Sequence, residues 1–160
     1  MQRVSNSGAE EIGQDIVAIQ TTRFGEISME RRRIIHFPEG ILGFPHEQSF
    51  VILEHKPGSP FWWLQSTVTP ELAFVMMSPF LVEKDYLDAL PASEKRLLEG
   101  EEASNYVLFV LVTIPKGQVE KMTVNLLGPI LIDSKRRIGR QLVLANSSYS
   151  TRHPVVSETC

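Results

Sequence analysis

Histidine and cysteine are the residues in this sequence best suited to metal binding or nucleophilic catalysis. The chain has four histidines and one cysteine, and no histidine stands at metal-ligand spacing from another histidine or from the cysteine. The cysteine is Cys160, at a terminus that we expect to be frayed, which disfavours a catalytic thiol. No nucleophile elbow, phosphate-binding loop or dinucleotide fingerprint occurs. The sequence therefore predicts no catalytic residue, no metal and no cofactor.

One route to catalysis stays open, because a catalytic triad is assembled in space and not along the chain. Ser59 and Ser66 have no base near them in sequence, and most acidic residues fall in predicted turns and in one predicted helix. We therefore expect a protein that is not an enzyme. A deep pocket with converging titratable side chains would revive the enzyme interpretation.

The charge balance disfavours nucleic acid as a direct ligand. Net charge is −3, from 19 acidic and 16 basic residues. The dense basic runs are Arg31–Arg33 and residues 135–137, whereas a duplex-binding surface makes about 6–10 phosphate contacts. We expect these runs to be solvated turns. The alternative is a barrel that binds single-stranded RNA, which requires Trp62 or Trp63 to lie beside one of the runs.

The cysteine content and the N-terminal residues indicate where in the cell the protein is expected. A single cysteine permits no intramolecular disulfide, which suits a reducing compartment. The first seven residues lack the apolar core of a signal peptide, and no apolar run approaches the roughly 20 residues of a membrane span. We expect a cytoplasmic protein with no membrane segment.

The element around which the fold is organised is the apolar run at residues 106–114. It is short, apolar at both odd and even positions and closed by proline and glycine, which indicates a strand covered on both faces. Residues 121–126 alternate apolar and polar, as in a strand with one face in the core. We predict that these two strands pair antiparallel at the centre of the domain.

Short apolar segments divided by proline and glycine continue along the whole chain, a spacing typical of an antiparallel sandwich or barrel. The sequence predicts a mainly β fold: a small antiparallel β-barrel-like single domain with one short helical segment. Residues 1–15 are expected to be a flexible lead-in, 16–154 the domain and 155–160 a tail. The other predicted strands are residues 16–19, 24–27, 33–37, 50–53, 61–66, 72–77, 130–132 and 138–144.

The helical segment is also the most acidic part of the chain. Pro91 divides it, so that a turn precedes a helix at Ala92–Glu99, with Gly100 as the C-cap. This surface is either a solvated helix packed through its leucines or an acidic docking face for a basic partner. The acidic residues of residues 83–102 are Glu83, Asp85, Asp88, Glu94, Glu99, Glu101 and Glu102.

Aromatic residues supply a second candidate surface. Trp62 and Trp63 are adjacent in a predicted strand, so their side chains point to opposite faces and one of them points away from the core. Together with Phe44 in the loop at residues 38–46 they are candidates for one apolar patch at a barrel rim, of the kind that marks protein-binding sites.

Several motifs, in order, resemble the bacterial flagellar assembly factor family, FliW. The resemblance covers residues 20–154, and the sequence departs from the family pattern at Ser78, Gly128 and Asp133. The motifs are residues 37–44, 60–66, 71–74, 121–126, 128–130 and 149–154.

The resemblance implies a monomeric, cytoplasmic protein that is not an enzyme and has a small barrel-like fold. It further implies two protein partners, flagellin and the carbon storage regulator, a small RNA-binding translational repressor. It adds Asn125, in the motif at residues 121–126, to the candidate protein-binding residues. The regulator's RNA-binding surface should be basic, so Glu94, Glu99, Glu101 and Glu102 are the candidates to attract it.

Overall fold

Strands dominate the structure, a computed structural model that describes residues 15–145 and 147–155. The predicted helix is confirmed as α1 (Ala92–Glu99). Short 3₁₀ turns occupy Arg31–Arg33, Pro79–Leu81, Tyr86–Ala89, Ala103–Asn105 and Val119–Lys121. The strands are β1 (Ile16–Thr21), β2 (Gly25–Glu30), β3 (Ile35–His36), β4 (Ser49–Glu54), β5 (Trp62–Ser66), β6 (Ala73–Met77), β7 (Tyr106–Thr113), β8 (Thr123–Val124), β9 (Ile130–Asp133), β10 (Ile138–Gln141) and β11 (His153–Pro154).

Seven strands close into a barrel in the order β7-β6-β5-β4-β3-β10-β9, and β9 pairs back onto β7. One edge of β7 is shared, because β9 pairs with its first half and β8 with its last two residues. Every pair in the barrel is antiparallel except β3 with β10. The mainly β, barrel-like fold with one helical segment is confirmed.

The barrel interior is filled by alternate residues of its strands. Phe37, Phe50, Leu64, Met76 and Ile130 are completely buried there. Since successive side chains of a strand point to opposite faces, the intervening residues of the same strands face outward.

The outward face of β7 is covered by the segment that carries α1. Leu108 and Val110 of β7 pack there with Tyr86, whose hydroxyl donates a hydrogen bond to the carbonyl of Leu126. Burial raises the pKa of Tyr86 well above its ordinary value, so the phenol stays a neutral donor. Coverage of β7 on both faces is the arrangement that its apolar run predicts.

The β1–β2 hairpin is a separate two-stranded sheet that packs on the outside of β4. Ile19 and Met29 bury against Val51. At the open end of the hairpin, the Arg31 N–H donates to the Asp15 carbonyl at 2.7 Å.

Several boundaries differ from those expected, and the strand predicted at residues 33–37 is reduced to Ile35–His36 because a 3₁₀ turn occupies Arg31–Arg33. Within residues 121–126 only Thr123–Val124 is strand, because a 3₁₀ turn at Val119–Lys121 precedes it. The last long strand ends at Gln141 and not at residue 144. His153–Pro154, which no predicted strand included, form β11, which pairs with β8.

Two further details concern the ends of elements. Gly100 is the C-cap of α1, but in an extended conformation and not in the left-handed one. Of the expected N-terminal lead-in, residues 1–14 lie outside the described residues. Val155 of the expected tail donates from its N–H to the Met122 carbonyl at 3.1 Å.

The contact between Gly139 and Phe37 supplies a stability test. A Cβ at Gly139 would stand 2.7 Å from Phe37 Cε1 inside the barrel. Alanine in a strand is ordinarily more stable than glycine by about 0.5–1 kcal/mol. We expect Gly139→Ala instead to lower the free energy of unfolding by about 1–3 kcal/mol, as overpacking does.

Denaturant unfolding of Gly139→Ala, Phe37→Leu and the double variant measures this contact. The smaller side chain of Phe37→Leu makes room for the new methyl group, so the double variant should lose less stability than the two single losses added together. Strictly additive losses would mean that the two residues do not collide.

Candidate protein-binding surfaces

The two tryptophans lie on opposite faces of β5, as alternation predicts. Trp62 faces inward, with its ring centroid 6.3 Å from that of Phe109. Trp63 lies outside the barrel beneath Arg23, whose Cζ stands 4.4 Å from the ring centroid. Its Nε1–H donates to His55 Nδ1 at 3.3 Å. The two rings therefore do not share one apolar patch, and the prediction that joined them with Phe44 is wrong.

Phe44 stands on a stiff loop at residues 38–46. Its ring packs edge-on against Phe74 at 5.4 Å between centroids and stays 40% exposed. Leu42 is 63% exposed, while Ile41 between the two glycines of the loop is buried. We call Leu42 and Phe44 the loop patch.

Asn125 is used within the chain. Its Oδ1 accepts hydrogen bonds from the N–H groups of Leu127 and Gly128, at 3.1 and 2.9 Å. This turn carries the chain from β8 to β9 along the shared edge of β7. Gln141 bridges it to the loop patch, because Nε2 donates to the Gly128 carbonyl and Oε1 accepts from the Leu42 N–H, both at 2.8 Å. Asn125 and the loop patch are therefore neighbours at one end of the barrel.

Glu94 is already compensated by its surroundings. Its carboxylate accepts from Arg140 Nη2 and from Ser93 Oγ, each at 2.6 Å. These hydrogen bonds, first that of Ser93 and then that of Arg140, lower the pKa of Glu94. The ion pair fastens α1 to β10, so Glu94 offers a partner less charge than its position in sequence suggests.

The remaining acids of the predicted face are exposed, namely Glu99, Glu101 and Glu102. In the described part of the chain, none of them forms an ion pair. They adjoin a basic turn, because the Asn105 carbonyl accepts from the Ser134 N–H at 2.7 Å. Charges of both signs thus meet at this end of the barrel, and the role of these glutamates stays a prediction.

Two further acids of the predicted acidic segment line a groove that the sequence did not predict. A groove of 720 Å³ lies between residues 85–91 and residues 143–149, of which 146 is not described. We call it the acidic groove. Asp85 and Asp88 are on one side, and Val143, 57% exposed, is on the other. Its acids belong to the predicted acidic segment, but the groove exists only because a distant segment packs opposite them.

The negative charge of the groove affects the pKa of Tyr149. Its pKa is raised by burial and then by the carboxylates of Glu83, Asp85 and Asp88. Lys95 offsets part of that charge, with Nζ 3.1 Å from Asp88 Oδ1. That pair is exposed, and such pairs contribute about 0–1 kcal/mol.

The two basic runs also come together. The parallel pairing of β3 with β10 sets Arg31–Arg33 beside residues 135–137, and the His36 N–H donates to the Arg137 carbonyl at 2.9 Å. Carboxylates lie among them, since Arg32 pairs with Glu30 and Arg136 with Asp133, each at 3.0 Å. Neither tryptophan supplies a stacking ring here, because one faces inward and the other contacts Arg23.

Two searches bear on metal binding and on membranes. Across the described residues, no three His, Cys, Asp or Glu side chains cluster closely enough to hold a metal ion. No helix in the described ranges has the length and apolar character needed to cross a bilayer.

The barrel and its exposed acidic and apolar surfaces together define a small β protein suited to binding other proteins. The family model described as "FliW protein" matches residues 18–155. The chain belongs to the FliW family, and the resemblance seen in its motifs is confirmed.

Curated relatives and a solved structure agree with this assignment. The chain is 43% identical over 136 residues to the flagellar assembly factor FliW of Geobacter sulfurreducens, covering 85% of this chain and 84% of that one. It is 38% identical over 140 residues to the flagellar assembly factor FliW of Natranaerobius thermophilus, covering 88% and 93%. A crystal structure of the flagellar assembly factor FliW superposes with a TM-score of 0.75 at 33% identity, covering 90% of this chain and all of that chain.

The loop patch depends on one glycine. Gly40 has φ +67° and its Cβ would stand 2.7 Å from Pro45 Cα, whereas Gly43 has φ +89° and open space. Both alanine variants incur the cost of a left-handed residue, about 1–2 kcal/mol. We expect Gly40→Ala to lose about 1–3 kcal/mol more than Gly43→Ala in thermal unfolding, because backbone must also move. Equal losses from the two variants would show that the loop is not packed in this way.

Proposed function

We propose that the chain is a cytoplasmic flagellar assembly factor, not an enzyme, that binds flagellin and the carbon storage regulator. Family membership supports the proposal, since relatives such as that of Geobacter sulfurreducens are flagellar assembly factors. The observation that carries the choice of a basic partner is the acidic groove, where Asp85 and Asp88 line the wall opposite Val143 and Tyr149. The factor acts as a monomer by presenting surface to its partners.

The two partners share the factor. When flagellin is exported, freed factor captures the regulator and lifts repression of flagellin messenger RNA. Such a homeostat requires that each partner weaken the binding of the other. A coupling free energy of about 1–3 kcal/mol changes either affinity about 5- to 150-fold.

Charge complementarity accounts for the choice between regulator and RNA. A surface that binds RNA is basic, so acidic side chains attract the regulator and repel its RNA ligand. The acidic groove and the exposed Glu99, Glu101 and Glu102 are the surfaces with that charge. Glu94 is expected to contribute mainly by holding α1 in place through Arg140.

Charge reversal tests which acids attract the regulator. We expect Asp85→Lys with Asp88→Lys to weaken regulator binding about tenfold at low salt, roughly 1.4 kcal/mol, with a smaller effect at high salt. Reversal of Glu99, Glu101 and Glu102 together should act in the same direction. Titration calorimetry over a range of salt concentrations measures both variants.

The matched control is Glu120→Lys, which reverses an exposed acid in the turn Val119–Lys121, away from both acidic surfaces. Each substitution, including the control, changes the net charge by the same amount. A loss of regulator affinity in the multiple variants that Glu120→Lys does not show therefore identifies a local effect. If both multiple variants bind the regulator at low salt as tightly as wild type does, neither acidic surface docks the regulator.

The loop patch is the candidate apolar contact. We expect Phe44→Ala to stay folded, because the ring is 40% exposed, and to weaken binding of at least one partner about 30-fold. That factor corresponds to a hot-spot aromatic contributing about 2 kcal/mol.

Val68→Ala is the control, because Val68 is 74% exposed and lies in the turn between β5 and β6. Binding of flagellin and of the regulator by each variant is measured by calorimetry, and folding by circular dichroism. A folded Phe44→Ala that binds both partners like wild type would exclude the loop patch.

A further inference from the structure

Residues 142–144 extend the β9–β10 sheet beyond Gln141. The N–H groups of Leu142 and Leu144 donate to the carbonyls of Pro129 and Leu127, at 2.8 and 2.9 Å. These bonds continue the β9–β10 pairing past the last residue of β10. Because the peptide groups of alternate residues point to opposite edges of an antiparallel strand, the N–H and C=O of Val143 point away from residues 127–129.

The free edge of Val143 has no partner within the part of the chain that the structure describes. No hydrogen bond reaches its N–H or C=O there. The side chains agree with an extended segment, since Leu142 and Leu144 are buried in the core and Val143 between them is exposed.

The acidic groove lies along this edge. Val143, Leu144 and Ala145 form one wall, and the opposite wall is the segment that contains Asp85 and Asp88. One side of the groove is thus bounded by the Val143 backbone, which has no hydrogen-bond partner among the described residues, and the other side by carboxylates. Leu90 and Pro91 add apolar lining to the groove.

These features together specify the chemistry of an occupant. Unpaired N–H and C=O groups on a strand edge bind a peptide in extended conformation, with main-chain hydrogen bonds that supply affinity. Carboxylates opposite select basic side chains, and the exposed Val143 side chain selects an apolar one. The same carboxylates would repel the phosphates of RNA.

We propose that an extended basic segment of the regulator docks in the acidic groove as an added β-strand, paired with Val143. This inference rests on the proposed function, because it commits to the regulator as the occupant. It adds the mode of binding, the backbone groups used and the residues that set specificity.

Amide hydrogen exchange on the full chain tests the pairing directly. The Val143 amide should exchange rapidly in the free protein and at least about tenfold more slowly when the regulator is saturating. The Leu144 amide, bonded to Leu127, should be protected in both states. The Lys116 amide, in the turn after β7, should exchange rapidly in both. An unchanged Val143 rate in the saturated complex overturns the proposal.

A pair of substitutions tests the same hydrogen bond by affinity. Val143→Pro removes only an N–H that has no described partner, and proline is tolerated on sheet edges. We expect Val143→Pro to bind the regulator at least about tenfold more weakly, as for the loss of a main-chain hydrogen bond in a buried contact. Val143→Ala keeps the N–H and removes only the side-chain contact, so it should weaken regulator binding less than Val143→Pro does.

The outcomes separate this inference from the proposed function. If wild type binds the regulator and a folded Val143→Pro binds it equally well, the docking mode is wrong and the function stands. If wild type does not bind the regulator, the docking mode and the proposed function are both wrong. Protection of the Val143 amide by flagellin and not by the regulator overturns the basic occupant. If Val143→Pro does not fold, amide exchange on wild type decides alone.

Discussion

Hydrogen bonding between β7 and β9 is the interaction on which the rest of the structure depends. It closes the sheet into a barrel, and a closed sheet leaves its seven strands without the long free edge that invites aggregation. Closure requires β8 and β9 to follow each other along one edge of β7. The turn between them is held by the Asn125 side chain. Asn125, a predicted partner-binding residue, thus has a structural task in this chain.

Closure also determines where function can reside. The interior is packed with side chains such as Phe37, Phe50 and Met76, so binding falls to surfaces that are added outside the barrel. Residues 85–91 and residues 143–149 form the acidic groove, while the loop at residues 38–46 forms the apolar loop patch. Two chemically distinct surfaces on one rigid scaffold suit a protein with two partners.

Local periodicity in the sequence was sufficient to predict most strands and the limits of α1. It also placed Trp62 and Trp63 on opposite faces. Features that depend on distant segments were not accessible in this way. Alternation at residues 121–126 suggested a longer strand than β8, and the pairing of β11 with β8 has no local signal. Likewise, no pattern along the chain indicates that Arg140 neutralises Glu94 or that residues 143–149 lie opposite Asp85.

We propose that this barrel works by binding two proteins that weaken each other's binding. The most direct measurement is the dissociation constant of the purified chain for the regulator, with and without saturating flagellin. The proposed negative coupling predicts that flagellin weakens regulator binding by about 5- to 150-fold. Regulator affinity that is unchanged by flagellin, or salt-sensitive binding of single-stranded RNA in place of the regulator, would contradict it.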